Sequence, residues 1–133
     1  MGDRLPLSPI VGEPMIDHLE LKTRKVAETA RFYCDVLAPL GYSLKMDGPV
    51  QGFGADGGMD LFLIDGESTA NVHFAFAAKS RTAVDACWNA GRDNGHQTDR
   101  EPALAPNIHP NYYAGYLRAP DGHLVEIVCQ LPE

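Results

Sequence analysis

Asp17-His18-Leu19-Glu20-Leu21 and, 55 residues further on (73 − 18), Val72-His73-Phe74-Ala75-Phe76 are the stretches that organise this sequence. Neither contains glycine or proline, and in each the side chains alternate between two faces, as in a strand. The first strand is expected over Met15 to Lys22, with Ile16, His18 and Glu20 on one face and Met15, Asp17, Leu19 and Leu21 on the other. The second is expected over Asn71 to Ala77. Each places a histidine at the same point of its strand.

Outward from these strands the rhythm repeats. After the first, Val26, Ala30, Tyr33, Leu37 and Leu40 recur at three- and four-residue steps, with Phe32 and Val36 widening the stripe. That period predicts an amphipathic helix over Lys25 to Leu40, capped by Thr23 and ended by Pro39 and Gly41. Strands follow at Tyr42 to Met46, Gln51 to Ala55 and Met59 to Ile64, separated by Asp47-Gly48-Pro49 and Asp56-Gly57-Gly58. After the second strand, Ser80 is a good N-cap for a helix to about Ala90, with Val84, Cys87 and Trp88 inside and Gly91 and Asn94-Gly95 ending it. A weak strand at His96 to Arg100 and a breaker-rich loop, Pro102 to Asn111, lead to strands at Tyr112 to Arg118 and His123 to Cys129. The turn Pro120-Asp121-Gly122 joins the last two. At the 55-residue offset Phe32-Tyr33 falls on Cys87-Trp88. Each unit is one sheet with one helix and cannot bury both faces alone, so two units side by side are expected to complete a curved sheet around a shared cup.

Composition narrows the function classes. The chain has 133 residues, 44% hydrophobic and 22% charged, which suits one compact domain or two small tandem modules. Its net charge of −7 repels phosphate backbones and anionic lipid, so no nucleic acid and no membrane surface is expected as a partner. No apolar run approaches the ~20 residues that span a bilayer. Residues 1–14, broken by Pro6, Pro9 and Pro14, lack the apolar core of a secretory signal and read as a leader. Cys34, Cys87 and Cys129 form no disulfide framework and no CxxC pair; reduced thiols of a cytoplasmic protein are expected.

Three residues stand out chemically. A lone strand histidine is more often packed or solvated than a ligand, but His18 and His73 occupy matched repeat positions. If a pseudo-twofold relates the halves, both imidazoles point into the cup. Glu126 lies in the strand His123 to Cys129, among Leu124, Val125, Ile127 and Val128. A carboxylate in such a run is costly to bury unless paired or coordinated. Two imidazoles and one carboxylate suit Zn, Mn, Ni or Fe as a divalent metal ion, with coordination positions left for substrate. Glu20, on the His18 face, is either a general base in the cup or a solvated charge. His96 and His123, beside turns, are expected to be exposed.

The run Ile16-Asp17-His18-Leu19, followed by Arg31-Phe32-Tyr33 and Leu37-Ala38-Pro39-Leu40-Gly41, resembles the first module of the vicinal oxygen chelate superfamily of glyoxalases, bleomycin-resistance proteins and extradiol dioxygenases. Val72-His73-Phe74-Ala75-Phe76, Arg92-Asp93-Asn94-Gly95, His109-Pro110-Asn111-Tyr112-Tyr113 and Pro120-Asp121-Gly122-His123-Leu124-Val125-Glu126 resemble the second module. The resemblance spans roughly residues 15 to 130. It implies an α+β fold of two paired βαβββ modules, residues 15–66 and 70–130, forming a cup-like mixed sheet with helices outside. It also implies metal ligands at His18, His73 and Glu126.

The resemblance further implies Lewis-acid chemistry on two neighbouring oxygens of a small-molecule substrate, as in isomerases, lyases and extradiol dioxygenases. Glyoxalases carry a fourth carboxylate on the last strand of the first module. The counterpart of Glu126 there is about Leu63, so a standard glyoxalase I is disfavoured. Fosfomycin-type transferases carry a Thr where this chain has Glu20. Dioxygenase-like second-shell roles fall to His109, Tyr113 and Tyr116; Tyr112 and Tyr116 share one strand face, and Tyr116 is preferred for the cup. The competing expectation is a metal-free, antibiotic-sequestering protein of the bleomycin-resistance type. Members of this size imply a homodimer, with modules paired within a chain or exchanged between chains.

Overall fold

The structure is a computed structural model that describes residues 16–68 and 72–133. The expected leader, Met15 and Asn71 lie outside the described residues. Two modules follow one plan. In the first, β1 (Leu19–Thr23) leads to α1 (Val26–Leu37), a 3-10 turn (Ala38–Leu40), β2 (Ser43–Met46), β3 (Val50–Gly54) and β4 (Leu61–Asp65). In the second, β5 (His73–Ala77) leads to α2 (Arg81–Asp93), β6 (Gln97–Thr98), β7 (Ala103–Leu104), β8 (Tyr113–Arg118) and β9 (Leu124–Cys129).

The first sheet has the order β1-β4-β3-β2 and the second β5-β9-β8-β6, with β7 also on β8. In each module the strand before the helix pairs in parallel with the last strand, and the remaining pairs are antiparallel. The first strand begins later than the sequence suggests: Ile16 to His18 precede the ladder, which starts at Leu19 opposite Leu61. The breaker-rich loop contains one element the sequence did not announce, the two-residue β7.

Local chemistry explains the element boundaries. Thr23 Oγ1 accepts from Lys25 N at 3.0 Å, so it shapes the turn before α1 instead of capping the helix itself. Gly41 takes φ +85° and its N–H closes on Ala38 O at 2.9 Å, ending the 3-10 turn. Ser80 caps α2, its hydroxyl accepting from Ala83 N at 3.0 Å. That helix runs past Gly91 to Asp93. Gly91 is a packing residue, where an added Cβ would lie 2.3 Å from Leu117 Cδ2.

One apolar core joins both modules. Phe32, Tyr33, Val36 and Leu37 of α1 and Val84, Cys87 and Trp88 of α2 pack with Phe53, Leu61 and Leu63 of the first sheet and Leu117, Val125 and Ile127 of the second. The helices therefore cover one face of each sheet. The other face carries the alternate residues: Glu20 and Phe62 on the first, His73, Glu126 and Tyr116 on the second. All three cysteines are free thiols, as expected. Among the described residues no helix is long and apolar enough to cross a membrane.

Candidate functional site

The site is built on the uncovered face of β5, β9 and β8. Parallel pairing sets Ala75 beside Glu126 and His73 beside Leu124, while antiparallel pairing sets Tyr116 beside Glu126. His73 Nε2 then lies 3.1 Å from Glu126 Oε1. Glu126 is only 3% exposed, between the core residues Val125 and Ile127. Its other oxygen accepts from the Tyr112 hydroxyl. The Tyr116 ring stacks on His73 with centroids 6.2 Å apart, and the Arg100 guanidinium lies 3.8 Å from the Tyr116 ring centre.

His73 Nδ1 is 3.2 Å from the Leu124 carbonyl. A carbonyl only accepts, so Nδ1 carries the ring hydrogen and the neutral imidazole presents a lone pair at Nε2. That lone pair faces a carboxylate oxygen at 3.1 Å. Two acceptors at this distance repel unless a positive species lies between them, either a second ring proton or a metal ion. A backbone carbonyl orienting the far nitrogen is also how metal-binding histidines are commonly held. The donor pair fits a divalent cation, but it supplies two protein ligands where a tight site takes three or four.

The third expected ligand is elsewhere in the chain. His18 Nδ1 is 2.8 Å from Asp17 Oδ1, and its ring meets Phe62 edge-on at 5.6 Å. Among the described residues no three His, Cys, Asp or Glu side chains gather where they could share a metal ion. A single chain thus joins His73 to Glu126 and does not bring His18 to them. The repeat explains the difference. At the 55-residue offset, Ala75 opposite Glu126 becomes Glu20 opposite Phe62. The counterpart of Glu126 is therefore Phe62, not Leu63, which faces the core. The inference of no fourth carboxylate stands: where one histidine has a glutamate, the other has a phenylalanine.

Other expected site residues are placed differently. Tyr113 points to the helix side, where its hydroxyl donates to Asp85 Oδ1 on α2 at 2.6 Å, because strand alternation turns it away from Glu126. His109 is exposed, and its Nδ1 accepts from Asn111 N at 3.1 Å, a local loop contact. Glu20 lines a separate cavity of about 300 Å³ with Leu21, Lys22, Val72 and His123, and forms no ligand cluster with His73 and Glu126. Tyr116 is at the site, as preferred. Tyr112 is the residue passed over, although the alternation had already put it on the Tyr116 face.

Of two histidines expected at the surface, one is buried and the other half-buried. His123 is buried, with Nδ1 3.5 Å from Asp121 Oδ2, and His96 Nε2 lies 2.7 Å from Asp35 Oδ2 on α1, closing one module onto the other. Both follow turns, but these turns fold onto the core. Burial, followed by the hydrogen bond and charge of Glu126, raises the Tyr112 hydroxyl above the ordinary tyrosine range. Burial and the Glu126 charge raise Tyr116 also, against the pull of Arg100. Both phenols therefore remain protonated donors at neutral pH.

The fold and the placement of these residues define a paired-module α+β protein with a histidine–carboxylate pair on an open sheet face. The model of the Glyoxalase/Bleomycin resistance protein/Dioxygenase superfamily matches residues 15–127, and the chain belongs to that superfamily. Among solved structures, a glyoxalase/bleomycin resistance protein from Albidiferax ferrireducens T118 superposes with a TM-score of 0.76 at 22% identity, covering 87% of this chain and 99% of that one. Lactoylglutathione lyase from Agrobacterium tumefaciens gives 0.66 at 22% identity, with 89% and 95% covered. The oxidase ChaP-H1 gives 0.66 at 23% identity, with 90% and 98% covered. At these identities the likeness shows the fold. No curated protein sequence matches the chain.

Proposed function

We propose that the chain is a divalent-metal-dependent enzyme, a lyase, isomerase or dioxygenase acting on a small molecule with two adjacent oxygens. It works as a cytoplasmic homodimer in which His73 and Glu126 of one copy are joined by His18 of the other. The observation that carries this reading is the buried Glu126 oxygen 3.1 Å from His73 Nε2, two ligand-type atoms that one divalent cation can bridge. Superfamily membership and the matched position of His18 in the repeat support it.

The metal, Zn, Mn, Ni or Fe, would supply Lewis-acid polarisation of the two substrate oxygens. The chain's own residues do the rest. The Leu124 carbonyl orients the His73 ring, and the Tyr112 hydroxyl holds the second Glu126 oxygen so that the first stays turned to His73. Tyr116 walls the site beside His73, and its protonated phenol offers a hydrogen bond to negative charge developing on a substrate oxygen.

The test is metal content by mass spectrometry after purification without chelators. Near-stoichiometric divalent metal in the natural protein, lost in His73→Ala, is expected. One observation favours a second reading, a metal-free small-molecule-binding protein: a single chain assembles only two of the three ligands. Metal-free protein that still binds ligand saturably would establish that reading.

A further inference from the structure

Beside the Glu126 face lies a cleft of about 430 Å³ that shares Tyr116 with the proposed metal site and otherwise has residues of its own. It is lined by Tyr116 and Ala114 of β8, Leu104 of β7, Ile108 of the following loop, and Arg100. Leu104 and Ile108 are large apolar side chains left 48% and 57% exposed. Exposed apolar surface gathered around a concave site marks a place where a ligand's apolar surface is buried. Arg100 supplies the polar end. Its guanidinium lies on the Tyr116 ring, Asp99 meets only its Nε edge at 3.4 Å, and its side chain is 64% exposed. Glu101 shares the rim and opposes a second negative charge on the ligand.

We infer that the substrate carries, besides its two adjacent oxygens, a single carboxylate and an apolar arm: Arg100 receives the carboxylate, and the cleft lined by Leu104 and Ile108 takes the arm. The inference rests on the proposed function for the site's place in catalysis, but the cleft and Arg100 are independent of the metal ligands. Tyr116 joins the two regions, one surface of its side chain against His73 and the other components of the cleft around it.

The test uses the full chain kept in chelator, titrated by calorimetry with butanoate, hexanoate and octanoate, and with hexanamide as the uncharged control. Each added methylene should tighten binding by about fourfold until the cleft is filled. Hexanoate should bind about tenfold tighter than hexanamide, the value of one charge-assisted contact. Arg100→Gln should erase the acid–amide difference and keep the chain-length series. Leu104→Asp should flatten the series, and Glu101→Gln should tighten every acid. All three residues are exposed, so the variants should fold, which circular dichroism verifies. A flat series, equal binding of acid and amide, or no saturable binding at any chain length overturns the inference. His18→Ala, which lies outside the cleft lining, should lose metal and leave the series unchanged, so failure of the metal reading and failure of this one give different results.

Discussion

Replacing Glu126 with leucine separates what the site costs the fold from what it does. The carboxylate is 3% exposed among apolar neighbours, and in the metal-free protein its partners are a half-exposed imidazole, the Tyr112 phenol and, more weakly, the Tyr116 phenol. Exchanging a buried ion pair entire for apolar side chains is commonly neutral or stabilising by ~1–4 kcal/mol; Glu126→Leu removes one partner only, but the other, His73, is half-exposed and keeps its water. Against this stands the lost Tyr112 hydrogen bond, about 1 kcal/mol, which water can partly replace at this half-buried phenol. The expected balance is a gain of ~1 kcal/mol, or about 4 °C in melting temperature for a domain of this size. The assay is thermal and urea unfolding of chelator-treated protein. Adding the preferred metal at about 100 times its Kd should raise the natural protein by ~2.7 kcal/mol and leave Glu126→Leu unmoved. Destabilisation of the metal-free variant by more than ~2 kcal/mol would show that Glu126 is a structural element of the sheet and refute this reasoning.

Three further outcomes follow from the packing and the titrating groups. Gly91→Ala should gain ~1 kcal/mol in helix propensity and lose ~1–3 kcal/mol to overpacking against buried Leu117, giving a net loss measurable by urea unfolding. All five tyrosines are raised from the ordinary value, Tyr113 to about 12 through burial and its hydrogen bond to Asp85. Their contribution to stability is complete below the unfolded value near ~10 and is lost as pH rises above it. An ultraviolet titration should therefore show the tyrosine step displaced above the ordinary range, with stability falling over the same pH interval. Burial pushes the Cys87 thiol up to about 12, and Cys129 is buried, so a thiol reagent at mildly alkaline pH should leave both intact and react slowly at half-buried Cys34. Rapid labelling of Cys87 in folded protein would contradict the packing of α2.

The two-module plan was legible because hydrophobic period and turn chemistry agreed along most of the chain. Ser80, Gly41 and Pro120-Asp121-Gly122 each sit at the boundary their chemistry suggests. His73 was singled out by the repeat and Glu126 by the apolar run around it, and the pairing of β5 with β9 sets the two side by side. What alternation cannot supply is register between strands far apart in sequence, and so Glu126 was matched to Leu63 when pairing matches it to Phe62. It also cannot say which turns fold inward. His123 and His96 read as surface residues, but His123 is buried and His96 half-buried with its Nε2 on Asp35. Tyr113 was grouped with the site by its neighbourhood in sequence, although its own strand phase sends it to Asp85.

The decisive measurement is the metal content of a one-to-one mixture of His18→Ala and His73→Ala protein, unfolded together, refolded and dialysed against the metal. Neither variant alone should retain metal. If His18 of one copy completes the His73–Glu126 pair of the other, each mixed dimer has one intact site, and the mixture should hold about one quarter of the natural metal content per chain. A mixture that retains no more metal than the separate variants, while the natural protein is fully loaded, would contradict a site shared between copies.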